Sequence, residues 1–185
     1  MGTENLDASK SARVLEMYVA LIGIVILTPI YLPEKNSDLR ELVTAKFIPY
    51  ARVIALRILL ALFTMMLMIG LYIVLLRNNN CIFPIVPYYF GTLAEALFLG
   101  GMGFCAYGIF KQIAVGYLLP VMYYITAFGA GTKLMKAFYP FSMIYGSYRE
   151  KLNLAVAGIV LVIIGLTYPY LEKRFVFKRK LRAAR

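Results

Sequence analysis

Glu95 sits deep inside a long apolar run, in the stretch "GTLAEALFLGGMGFCAYG". A carboxylate at membrane depth costs several kcal/mol, and such residues mark functional sites by default. Three roles fit it: an ion pair with a basic neighbour such as Lys111 or Arg57, a place on a wet cavity where it touches substrate, or a protonated helix contact. Gly100, Gly101 and Gly103 follow closely in "GGMG". No Lys-Ser/Thr comes after them, so they form neither a phosphate loop nor a dinucleotide fingerprint. Small residues inside a span serve close helix packing or a flexible point. With Glu95 they make the candidate substrate path.

Other chemistry is sparse. The chain has no histidine and only two cysteines, Cys81 and Cys105. The commonest proton shuttle and metal ligand is therefore missing, and no disulfide or metal framework is indicated. Cys105 lies in an apolar block and reads as a small core residue. No serine, cysteine or carboxylate pair stands beside a base at catalytic spacing. The expectation is no catalytic residue, no metal and no cofactor. Glu16 follows Arg13 by three residues, which suggests a local helical pair at a membrane interface.

These residues need a scaffold, and composition says which kind. The 185 residues are 62% hydrophobic, with a mean hydropathy of +0.75. Soluble domains sit near half apolar, and here the excess lies in long blocks. The class is an all-α, polytopic membrane helix bundle forming one domain over residues 1–185. Five spans are expected, at about 15–32, 53–76, 88–110, 112–130 and 152–171. A tight turn at Lys111–Gln112 joins the third and fourth. The first block lacks a small-residue cleavage site and reads as a retained span rather than a signal peptide.

Charge sets the expected orientation. The net charge is +11. In a membrane chain such charge marks cytoplasmic loops and anionic lipid rather than nucleic acid. Five Lys/Arg lie in 33–57, one at Lys111 and seven in the tail at 172–185, thirteen in all against seven in the alternate segments. The positive-inside rule then puts the N-terminus outside and the C-terminus in the cytoplasm of a plasma-membrane protein. The aromatic-rich stretch "KLMKAFYPFSMIYGSYREK" is too polar to span and reads as an amphipathic segment on the outer surface.

The most polar stretch is "PEKNSDLRELVTAKFIPYARVIALR", between the first two spans. Asp38 and Glu41 have capping-box spacing, while Leu39, Leu42, Val43 and Phe47 recur at helical intervals. Arg40, Glu41, Thr44 and Lys46 fill the other faces, and Pro49 ends the helix. Arg52 and Arg57 can snorkel to headgroups. Physics alone allows two roles for this amphipathic helix at 38–48: an interfacial anchor, or a docking element for a soluble partner.

Residues 16–63, "EMYVALIGIVILTPIYLPEKNSDLRELVTAKFIPYARVIALRILLALF", resemble the permease subunits of type-two, exporter-like ATP-binding-cassette transporters. The matching features are the "LTPIYLPEKN" turn, the "DLRELV" helix start and the Arg52/Arg57 start of the next span. The family's usual six spans become five here, without its first one. The resemblance implies that Asp38, Leu39, Arg40, Glu41, Leu42, Val43, Lys46 and Phe47 dock a separate cytoplasmic ATPase. It also implies a second permease chain as partner and export of a lipid, peptide, drug or polysaccharide. Hydrolysis would belong to the ATPase, because nothing in this chain resembles a nucleotide-binding loop. The alternative is a non-transporting adaptor or assembly subunit that docks a soluble protein with the same helix.

Overall fold

A computed structural model describes residues 4–35 and 50–183. The expected amphipathic helix at 38–48, with its eight docking residues, lies outside the described residues. Among those described, every regular element is helical, as expected for an all-α membrane bundle. The elements are α1 (Ala8–Met17), a 3-10 turn (Val19–Leu21), α2 (Ile22–Leu27), a 3-10 stretch (Thr28–Lys35), α3 (Tyr50–Asn78), α4 (Ile85–Phe110), α5 (Ile113–Met135), two 3-10 turns (Lys136–Phe138 and Met143–Tyr145), and α6 (Arg149–Ala183).

Four stretches are long and apolar enough to cross a membrane: Ala8–Pro33, Arg52–Asn78, Ile85–Phe110 and Arg149–Tyr168. The expected fifth, 112–130, is present as a shorter apolar helix, Ile113–Gly129. At 1.5 Å per residue it rises about 26 Å, just under a hydrocarbon core of about 30 Å. Its end is set by Gly131, whose φ of 63° and ψ of −161° leave the helical region.

The first span is not one helix. It breaks at Tyr18 (φ −118°, ψ −49°) and resumes in shorter pieces. A broken helix in an apolar environment leaves carbonyls that need new donors. The Tyr124 hydroxyl donates to the Met17 carbonyl at 2.8 Å, next to the break. At the start of α1, the Tyr88 hydroxyl donates to Ala8 O at 3.0 Å.

Helix α4 is the axis of the bundle. Small residues make this possible, because without a hydrophobic force between helices in lipid, close backbone approach supplies the contact energy. Two faces of α4 are used. Gly100 abuts the Gly23 carbonyl of α2, and Gly103 lies against Thr28 and Gly116. On the other face, a Cβ at Gly101 would meet the Gly158 carbonyl of α6 at 3.0 Å. Gly158 and Gly165 are two helical turns apart and sit against Phe98 and Phe104 respectively. Helices α4 and α6 therefore run parallel, with contacts at Gly91–Lys151, Phe98–Gly158 and Cys105–Gly165. The steps of seven residues match on both helices, which keeps one face of each against the other. Near Gly165, Tyr31 donates its hydroxyl to the Gly165 carbonyl at 2.7 Å and stacks on Phe104 at 4.8 Å.

Helix α3 is peripheral. It exposes Leu59, Phe63, Met66 and Leu71, as expected of a lipid-facing helix. Its ends fix the direction of the chain. Asn5 N–H donates to Asn79 O at 3.0 Å and Ile82 N–H to Leu6 O at 3.3 Å, so the start of the first span meets the end of α3. At the other end Arg57 donates to Ile30 O at 3.3 Å. The tight turn expected at Lys111 is present, with Lys111 at φ 57° and its N–H donating to Tyr107 O at 2.8 Å.

The glycine contacts generate a stability test. Gly158→Val, read by thermal unfolding of the full chain in lipid-detergent bicelles, should lose about 1–3 kcal/mol by overpacking. Gly129 has open space around it, so Gly129→Ala should match or exceed the wild type. Equal stability of Gly158→Val and wild type would contradict the packing.

Candidate functional site

Three charged side chains meet inside the bundle. Glu16 comes from the first span, Glu95 from α4 and Lys151 from the first turn of α6. Both glutamates are fully buried, and Lys151 is 4% exposed. Lys151 Nζ lies 2.7 Å from Glu16 Oε1 and 2.6 Å from Glu95 Oε2. It also donates to the Pro140 carbonyl. An ammonium has three protons to give, and these three acceptors use them.

The local sequence explains how each group arrives there. Glu16 sits one position before Met17, just ahead of the break in the first span, on the face that also buries Ala12 and Leu15. Arg13 is on the other side and exposed. The expected Arg13–Glu16 pair at the interface is therefore replaced by a buried pair with Lys151. The reason is helical phase: the apolar stripe of α1 carries Glu16 inward with it. Glu95 shares its buried face with Thr92, Ala96 and Leu99. Its ion-pair partner is Lys151 rather than Lys111 or Arg57. Arg57 donates to the Ile30 carbonyl, and Lys111 caps the far end of α4, about 24 Å along the helix from Glu95.

The connection between α5 and α6 completes the site. Expected as an amphipathic surface segment, it buries Tyr139, Phe141 and Met143 on one side and exposes Phe138, Tyr145 and Tyr148 on the other. Glu16 holds it there. The Met143 N–H donates to Glu16 Oε1 at 2.8 Å, and the Ile144 N–H donates to Oε2 at 3.3 Å. Gly91 leaves room for Met143 and for the Lys151 stem, whose Cγ would lie 3.6 Å from a Cβ there. Aromatic edges pack the outside, with Tyr124, Phe128 and Tyr139 each edge-on to Phe141. The Tyr123 hydroxyl donates to the Phe138 carbonyl, and the Asn153 amide donates to Ala137 O at 3.2 Å.

Glu16 is fully satisfied, but Glu95 is not. Glu95 Oε1 has no hydrogen-bond partner among the described residues. Gly100, Gly101 and Gly103, grouped with Glu95 by sequence, lie one to two turns further along α4 and touch backbone and side chains of other helices. They set how closely the helices approach around Glu95. Cys105 and Cys81 are both buried. Among the described residues no group of three His, Cys, Asp or Glu could hold a metal ion.

Sequence reasoning missed Glu16 and Lys151 as site residues. The usable signal was charge balance: two carboxylates in apolar segments require a cation, and Lys151 lies at the head of an apolar run. Removing that cation leaves two buried acidic groups without their counterion, and breaking a buried pair typically costs about 3–5 kcal/mol. Lys151→Met should therefore destabilise the full chain by about that amount in reversible unfolding. Lys10→Met at the exposed N-terminal helix is the control and should change little. Equal effects of the two variants would contradict the pairing. No family model, no curated protein and no solved structure matches this chain.

Proposed function

We propose that this chain is the membrane-spanning subunit of an ATP-driven, exporter-like transporter whose ATPase is a separate cytoplasmic protein. The observation that carries the reading is the alternation of chain ends. Ile30 and Arg57 are hydrogen-bonded at one end of the bundle, so the first span ends and α3 begins at that end. Helix α4 ends at the same end in the Lys111 turn, and α6 points its basic tail that way. The end of the first span, the start of α3, the Lys111 turn and the C-terminal part of α6 thus gather at one end, and the Glu16–Lys151–Glu95 cluster lies towards the other. That is the layout a coupling subunit needs: a handle for a soluble partner on one side and a bundle that transmits its motion.

In this reading Asp38, Leu39, Arg40, Glu41, Leu42, Val43, Lys46 and Phe47 are the handle. The ATPase binds two packings of the bundle with different affinity, and its nucleotide cycle shifts their populations. The exposed aliphatic side of α3 faces lipid or a second permease chain. Burying Lys151 removes one cation from the outer tally and widens the basic asymmetry, which supports placing the 36–49 end in the cytoplasm.

The test is co-purification of the tagged full chain from its native membranes, with ATP hydrolysis measured per mole of chain. Wild type should carry a hydrolase with it. Glu41→Arg combined with Phe47→Asp should lower the bound activity at least about tenfold, since a charge placed in a desolvated contact costs several kcal/mol. The same membrane yield for both proteins shows that folding is intact. Unchanged bound activity in the double variant would contradict the docking role.

A further inference from the structure

Among the described residues, the charges of the buried cluster do not balance. Glu16 and Glu95 supply two carboxylates and Lys151 one ammonium, all within 2.7 Å contacts and away from solvent. With both acids ionised the cluster carries a net negative charge, and an uncompensated charge at this depth is strongly unfavourable. One added proton makes the cluster neutral. We propose that the Glu16–Lys151–Glu95 cluster is a proton-binding site, with Glu95 Oε1 as the atom that takes up and releases a single proton.

Geometry chooses between the two carboxylates. Glu16 accepts from Lys151 and from the Met143 and Ile144 amides, so both of its oxygens already face donors. Glu95 accepts only from Lys151, through Oε2, and its Oε1 faces no donor among the described residues. An unpartnered hydroxyl is far cheaper to bury than an unpartnered half of a carboxylate. Uptake forms one O–H bond at Oε1 and consumes one hydronium from the aqueous phase, and release returns it. The other groups facing the cluster do not compete for this proton. They are Tyr123 and Tyr124 on α5, Tyr139 on the connection and Tyr88 on α4. All four are phenols, which ionise only near pH 10 in their ordinary range.

Occupancy would reach beyond the carboxyl group. Lys151 also holds the Pro140 carbonyl, and Glu16 holds the next two amides of the same connection. Loss of the proton puts a second full negative charge beside Lys151 and draws the ammonium away from Glu16. The segment around Pro140–Ile144 is therefore the part of the molecule whose docking the proton controls. The proposal stands on the cluster alone and does not depend on the transporter reading.

Infrared spectroscopy of the full chain in lipid bilayers tests it, because a protonated carboxyl group has its own C=O stretch. At neutral pH the exposed carboxylates are ionised, so the wild type should show one such band, sensitive to deuterium exchange and lost reversibly on alkaline titration. Glu95→Gln should abolish it. Glu16→Gln should abolish it as well, because Lys151 and Glu95 then balance each other as ions. Lys151→Met should about double it, because both carboxyl groups then require a proton. Absence of the band from folded wild-type protein at neutral pH would overturn the proposal, and so would its persistence in Glu95→Gln. The wild-type measurement decides even if a variant fails to fold.

Discussion

One ammonium group holds this bundle in register. Lys151 joins the first span to α4 through two carboxylates and joins both to the α5–α6 connection through the Pro140 carbonyl. Charges at this depth have no water to fall back on, so each depends on the others. The arrangement does not add stability in the way an apolar core does. It selects one packing, because any slip of α6 along α4 would separate groups that cannot be left alone. The matched glycine steps allow that slip only in units of about two helical turns, and the ion cluster fixes which unit is chosen.

The two ends of the molecule are built on different physics. At the end marked by Ile30, Arg57 and the Lys111 turn, contacts are glycine backbones, a stacked Tyr31–Phe104 pair and carbonyls capped by single side chains. Towards the opposite end, the α5–α6 connection rests on a charged cluster and a shell of aromatic edges. Helix packing of the first kind tolerates small tilts, since dispersion contacts can slide. A charged cluster has fewer acceptable arrangements.

Much of this was legible in the sequence, and the misses share a cause. The apolar blocks located four membrane-length helices, and the polar step at Lys111–Gln112 marked the tight turn. Both are local properties of the chain. The depth of Glu95 flagged it as unusual. Its partner was hidden because Lys151 is 56 residues away and sits in "SYREK", a run that reads as surface. Glu16 was assigned to Arg13 because local spacing offers a pair at no cost in chain entropy. Tertiary burial overrode that choice once the α1 stripe turned inward. The inward side of the α5–α6 connection was hidden for the same reason. Its mixture of aromatic and polar residues suits an interface, but here the polar groups that must be satisfied are backbone amides, and their acceptor is Glu16.

The central claim is that Glu16 and Lys151 act as one unit, and a double-mutant cycle on the full chain tests it most directly. Reversible unfolding would compare Glu16→Gln, Lys151→Met and the two combined. If the pair is a unit, the combined variant is more stable than Lys151→Met alone, because removing Glu16 removes a buried acid that, without Lys151, is held only at the cost of a proton. Strictly additive losses in the combined variant would contradict the account.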